Sequence, residues 1–171
     1  MVAIRKATLD DGQLLSKMGS TTFIESHGNS ASLKDIDDYL KNNLNPQAFD
    51  KELMDVNNIY HLIYHHDQPV GYSKIIFNVP NKNTGILNIT KLERIYILKA
   101  FYGLKLGLHL LHHLISLSKE NGQSGIWLNV WTENHRAIDF YKKAGFEIIG
   151  KYDFKISETH SNPNHQMLLT F

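Results

Sequence analysis

"LERIYILKAFYGLKLGLHLL", residues 92–111, changes its period in the middle. From Leu92 to Leu98 it alternates as a strand does, and beyond the join the leucines recur at helical spacing. Gly103 and Gly107 sit at the junction with Lys105 between them. A turn that enters a helix presents unpaired N–H groups and partial positive charge, so it suits an anion. Glycine lets backbone approach a ligand closely, and Lys105 adds a full charge. A plainer reading stands beside it: the glycines ease a tight turn and nothing binds.

Outward from this junction, "VAIRKA" (2–7) reads as a first strand. "TLDDGQLLSKMGSTTFIES" follows as a helix capped by Asp10 or Thr8, with Leu14, Leu15, Met18 and Phe23 as its apolar stripe. After the loop "HGNSAS", "LKDIDDYLKNNL" reads as a second amphipathic helix that stops at Pro46, and "AFDKELMD" as a short third. "IYHLIYHH" and "VGYSKIIFNV" form a hairpin signal around the turn "DQP". "LNITKLERIYIL" is a strand expected near the centre of the sheet. A helix from Gly103 to about Glu120, the strand "IWLNVW", the helix "NHRAIDFYKKA" and the strands "FEIIGKYDFKI" and "HQMLLTF" complete the chain. The order βααβββαβαββ calls for one mixed α/β domain, residues 1–171, with strand–helix–strand crossovers in its second half.

Composition narrows the function. Lys plus Arg number 18 against 17 Asp plus Glu, a near balance that gives no electrostatic case for nucleic acid as a partner. No apolar run approaches the roughly 18 residues of a membrane span, and "MVAIRKATLDD" lacks a signal-peptide core. The chain has no cysteine, which removes disulfides, thiolate metal sites and cysteine nucleophiles and fits a cytoplasmic location. His109, His112 and His113 have metal-ligand spacing, but with Ser116, Lys119 and Glu120 they form one polar stripe opposite Leu110, Leu111, Leu114 and Leu117. That stripe reads as a solvated face, and no metal site is expected.

Two further groups of residues can carry chemistry. In "NHRAIDFYKKAGF" (134–146), Asn134, Ile138 and Tyr141 share one helical face, so a phenol and an amide project on the same side. The alternative makes Asn134 a helix cap and Tyr141 a core aromatic. Glu93 lies in the expected central strand, where a carboxylate should be paired or face a cleft, and Arg94 points to the other face by alternation. A cleft-facing Glu93 would suit a general base, direct or through water.

Together these pieces resemble the GNAT superfamily of acetyl-CoA-dependent N-acetyltransferases over nearly the whole chain. The family's N-x-x-A-x-x-x-Y-x-x-x-G-F pattern is matched in full by Asn134, Ala137, Tyr141, Gly145 and Phe146. Its R/Q-x-x-G-x-G/A turn is matched only at Gly107, with Tyr102 in place of Arg or Gln and Lys105 in place of Gly. "ERIYI", "IWLNVW" and "AIDFYKKAGF" look most like the PaiA-type spermidine/spermine acetyltransferases.

The resemblance implies a GNAT fold: a single mixed central sheet with splayed central strands, flanked by helices. It implies acetyl-CoA as cofactor, its pyrophosphate on the backbone of Tyr102, Gly103, Leu104, Lys105, Leu106, Gly107 and Leu108. The pantetheine arm would pair with Ile95 and Ile97 around Tyr96. Asn134, Phe140 and Lys143 would lie against the cofactor, and Tyr141 would protonate the departing thiolate while Glu93 assists amine deprotonation. With no cysteine, direct attack in a ternary complex is the simpler route.

For the acceptor, a small-molecule amine, a polyamine is the first reading. It rests on Phe23, Glu25, Tyr39 and Glu93, with Asp35, Asp37, Asp38 and Glu133 as further charge. The Asp residues also suit a helix N-terminus, with no ligand at all. The rivals are a peptide N-terminus or another small amine as acceptor, and a CoA-binding regulator without turnover. Assembly as a homodimer stays open.

Overall fold

The computed structural model describes all residues from Met1 to Phe171. Seven strands form one mixed sheet: β1 (Val2–Lys6), β2 (Ile59–His65), β3 (Gln68–Ile76), β4 (Thr90–Ile97), β5 (Gly125–Trp131), β6 (Glu147–Lys155) and β7 (Ser161–Thr170), in the order β1-β2-β3-β4-β5-β7-β6. The helices are α1 (Gly12–His27), α2 (Leu33–Asn43), α3 (Pro46–Met54), α4 (Leu106–Glu120) and α5 (His135–Lys143). The mixed α/β architecture and the central place of β4 follow the sequence reading, with α3 added to its order of elements. Two compact units divide the chain, one of residues 1–75 with 94–113, the other of residues 76–93 with 114–171.

In the first unit, side chains take up orphan N–H groups at the 3-10 turn ahead of α1 and at the starts of α2 and α3. Asp11 accepts from the Thr8 N–H at 2.7 Å in a capping box around the 3-10 turn Leu9–Asp11 that leads into α1. Ser32 accepts from the Asp35 N–H at the start of α2, and Asn45 from the Ala48 N–H ahead of Pro46 at the start of α3. Leu15, Phe49, Tyr60, Leu62, Ile63, Tyr72 and Ile75 fill the core, with the Phe49, Tyr60 and Tyr72 rings in mutual contact. Each such side chain contributes about 1.5–3 kcal/mol by leaving water.

The β2–β3 turn falls on His66 and Asp67, both at positive φ, rather than on "DQP". Paired positive φ matches the right-handed twist of the strands, which a turn centred on Pro69 could not. Pro69 instead sits inside β3 beside a register shift at Ile63/Tyr64, where a missing N–H is tolerated.

In the second unit, β4 pairs with β5 in parallel only over Thr90–Leu92 and Ile126–Leu128. β4 therefore runs on to Ile97 beyond its last pair with β5. β5 pairs with β7 along its whole length, and β7 with β6. Ile126, Leu128, Val130, Ile138, Tyr141, Phe146 and Met167 are buried together. The loop between β3 and β4 is tied down by the Trp127 indole N–H to the Val79 carbonyl (2.8 Å) and by Asn83 to Gln166 (2.6 Å).

Candidate active site

The turn before α4 is longer than the sequence suggests, because the helix starts at Leu106 and not at Gly103. Gly103 (φ 85°) and Lys105 (φ 56°) both take left-handed backbone. Alternation of this kind points successive N–H groups the same way, as in an anion-binding nest. The chain's first hydrogen bonds into α4 come from the Leu108 and His109 N–H groups to the Lys105 carbonyl. The N–H groups of Gly103, Leu104, Lys105, Leu106 and Gly107 donate to no group of the chain. Leu106 is buried and anchors the turn, while Gly103, Leu104 and Lys105 are exposed. This is a cradle of backbone donors that fits a pyrophosphate. The left-handed φ at Lys105 also explains why the family pattern has glycine there.

Ile95, Tyr96 and Ile97 lie half-buried in the same unit, in the part of β4 beyond the ladder with β5. Gly71 on β3 lets this backbone come close: a Cβ there would collide with the Tyr96 carbonyl oxygen. The Tyr96 ring meets Tyr72 at 5.8 Å and stands edge-on to His27 at 6.5 Å. His27 stacks on Phe23 (5.0 Å), and Phe23 on Tyr39 (4.7 Å). The sequence-derived acceptor residues Phe23 and Tyr39 are thus brought together, with His27 and Tyr96 added. Burial pushes the His27 imidazole down to about 4, so the stack is neutral at pH 7.

The acidic residues of this segment are mostly engaged. Glu25 accepts from the Lys99 backbone N–H at 2.9 Å. Asp37 pairs with Lys41, Asp38 with Lys34, and Asp35 with the Ser32 hydroxyl, all within α2 and its cap. Asp35 alone lies in the first turn of α2, whereas Asp37 and Asp38 are held by lysines of the same helix.

Sequence reasoning missed a cluster behind the aromatic core. Glu52 of α3 accepts from the Tyr60 hydroxyl, from Lys74 Nζ at 2.7 Å and from Arg94 at 3.2 Å, while Arg94 also donates to Tyr60 at 2.7 Å. Lys74 is nearly inaccessible at 5%. Desolvation opposes the Glu52 charge, but Arg94 and Lys74 outweigh it and hold the carboxyl below its usual range. Arg94 does face away from Glu93 by alternation, but its destination was not visible from spacing.

The histidine stripe needs a correction. His109 and His112 are exposed, but the His113 ring packs edge-on against buried His61 at 4.8 Å. His113 Nε2 and His61 Nδ1 are buried without hydrogen-bond partners. His109 and His112 keep the solvated face, whereas the His113 ring turns against His61 of β2.

The remaining residues lie in the second unit. Asn134 caps α5, its side chain accepting from the Ala137 N–H at 3.2 Å. Ile138 and Tyr141 are the buried residues of α5, Phe140 is half-buried and Lys143 is exposed. The Tyr141 ring, 7% exposed, packs between Phe140 (5.3 Å) and Phe146 (5.4 Å). Its hydroxyl has no hydrogen-bond partner within the chain, and burial pushes the phenol well above its ordinary range. It stays protonated at neutral pH, so it holds a proton that it can give. Glu93 is exposed on β4, and Glu133 lies 3.7 Å from His135.

Comparison with known proteins bears on the family and the fold. A family model described as the acetyltransferase (GNAT) family matches residues 27–146. An uncharacterised N-acetyltransferase of Mycobacterium tuberculosis is 25% identical over 154 residues, covering 90% of this chain and 94% of the relative. The N-alpha-acetyltransferase 50 of Danio rerio is 31% identical over 107 residues, 59% of this chain and 58% of that protein. The crystal structure of the PaiA N-acetyltransferase from Thermoplasma acidophilum in complex with coenzyme A superimposes with a TM-score of 0.79. That match covers 100% of this chain and 99% of the other at 16% identity, a likeness of fold.

Proposed function

The chain belongs to the acetyltransferase (GNAT) family of N-acetyltransferases that use acetyl-CoA, and from that premise we propose that it acetylates a primary amine by direct attack in a ternary complex. The observation that carries the proposal is the run of unsatisfied N–H groups from Gly103 to Gly107, suited to the cofactor's pyrophosphate. Lys105 adds a positive charge at that turn. Ile95 and Ile97 offer backbone to the pantetheine arm, with Tyr96 between them, and Asn134, Phe140 and Lys143 contribute the remaining contacts.

Acetyl-CoA supplies an activated thioester carbonyl. Glu93 takes a proton from the acceptor ammonium, directly or through water, and frees the nitrogen lone pair. As the C–N bond forms and the C–S bond breaks, the Tyr141 hydroxyl gives its proton to the leaving sulfur, and the proton that the acetylated nitrogen sheds returns Tyr141 to its phenol form. Burial keeps the phenol protonated, so the proton is in place to be given.

For the acceptor we propose a polyamine. The reading is supported by the His27–Phe23–Tyr39 stack, which suits a methylene chain and carries no charge to repel a cation. Exposed Glu25 and Glu93 add negative charge. A peptide N-terminus is the second reading, favoured by the ion pairs that already occupy Asp37 and Asp38. A screen of amines with acetyl-CoA, followed by free thiol release, tests both. Spermidine or spermine should exceed monoamines in kcat/KM, with KM rising as salt is added. Higher kcat/KM with peptides or monoamines would remove the polyamine and keep acetyl transfer; failure of every amine to release thiol would remove acetyl transfer itself.

A further inference from the structure

β6 is an edge strand, paired on one side by β7 and by no strand on the other. It is long for an edge, Glu147–Lys155, and exposes apolar side chains, Ile148 at 46% and Tyr152 at 47%. Unpaired backbone groups beside exposed apolar side chains are a template for another strand. The usual protection is charge, and "EIIGKYDFK" carries it. Yet Lys151 and Asp153 are both exposed and neither has an ion-pair partner in its own chain, whereas Lys155 is paired with Glu158.

The order of these charges favours one occupant. If two copies of β6 pair antiparallel about a two-fold axis at Tyr152, Lys151 of each faces Asp153 of the other. Tyr152 then faces its own copy, and Phe154 faces Gly150. Moving the axis to Lys151 sets lysine on lysine. Moving it to Asp153 sets aspartate on aspartate and Lys151 on Lys155. Moving it to Gly150 sets Glu147 on Asp153. Directly opposed side chains interact most strongly in an antiparallel pair, so the Tyr152 register alone turns both charges into attractions. The bulge between Ile148 and Gly150 lies outside the central stretch and caps the ladder at its far end.

We infer that the protein forms an isologous dimer through antiparallel pairing of β6 with β6 of a second copy, centred on Tyr152. Such a contact closes on itself, which the edge-to-edge alternative, β6 on β1, would not do. The inference goes beyond acetyl transfer and does not depend on it.

Sedimentation velocity over a concentration series tests it on the full chain. The wild type should run as a dimer. Lys151→Asp places aspartate opposite aspartate twice and should weaken dimerisation by about 10–100-fold. The double variant Lys151→Asp/Asp153→Lys restores both pairs with reversed sense and should recover the dimer. Both positions are exposed, so circular dichroism should show the fold unchanged in each. A monomeric wild type, open-ended assembly, or a dimer indifferent to Lys151→Asp or unrescued by the double variant would overturn the inference.

Discussion

Lys105 joins strain and charge at one residue, so two substitutions there separate them. An L-residue in left-handed backbone costs about 1–2 kcal/mol, and Lys105 holds φ 56°. Lys105→Ala keeps that strain and removes the charge; Lys105→Gly removes both. Glycine gives back about 0.4–1 kcal/mol through its freer unfolded chain. The Gly variant should therefore be more stable than the Ala variant by about 0.5–1.5 kcal/mol. The charge is exposed, so water screens it. At about 6 Å and a dielectric near 80, one ammonium and a doubly charged pyrophosphate attract by about 1.4 kcal/mol, roughly halved at physiological salt. Both variants should lose about three- to tenfold in CoA affinity, and equally. Urea denaturation reads the first quantity and calorimetry with CoA the second. Unchanged CoA affinity would take Lys105 out of the cofactor site. Equal stability of the two variants would refute the strain argument.

Tyr141→Phe should lower kcat by about 10²–10⁴-fold with CoA affinity little changed, measured by steady-state kinetics and calorimetry; normal turnover would return Tyr141 to a packing role. Gly71→Ala should destabilise the fold by about 1–3 kcal/mol in urea denaturation, because its Cβ meets backbone at Tyr96 rather than a side chain that can move away. Burial, His113 and Lys6 push the His61 imidazole down to about 4, so the unfolded chain takes up a proton near pH 6.5 while the folded chain resists it. Stability should fall by about 3 kcal/mol for this group as pH drops from about 6.5 to 4, and His61→Leu should flatten that limb in pH-dependent denaturation; a parallel limb would count against it.

Much of the molecule was legible because it is local. Caps at Thr8 and Asn134 act within three residues, and the alternation of β4 and the leucines of α4 repeat within a turn or two. The pattern from Asn134 to Phe146 occupies one helix and its exit, so the burial of Ile138 and Tyr141 could be read from spacing. What joins distant stretches could not. Glu52 meets Tyr60, Lys74 and Arg94 across as many as 42 residues, and no periodicity links them. His113 belongs to a polar stripe by sequence, yet its ring packs on a strand that lies elsewhere in the chain. The carboxylates of α2 pointed to an acceptor cation, but only side-chain conformation showed Lys34 and Lys41 upon them. At Lys105 the sequence names the residue, and the tertiary turn decides its φ. Local sequence determines which backbone conformations are cheap, whereas packing between separated segments decides which costly ones are kept and which charges lose their water.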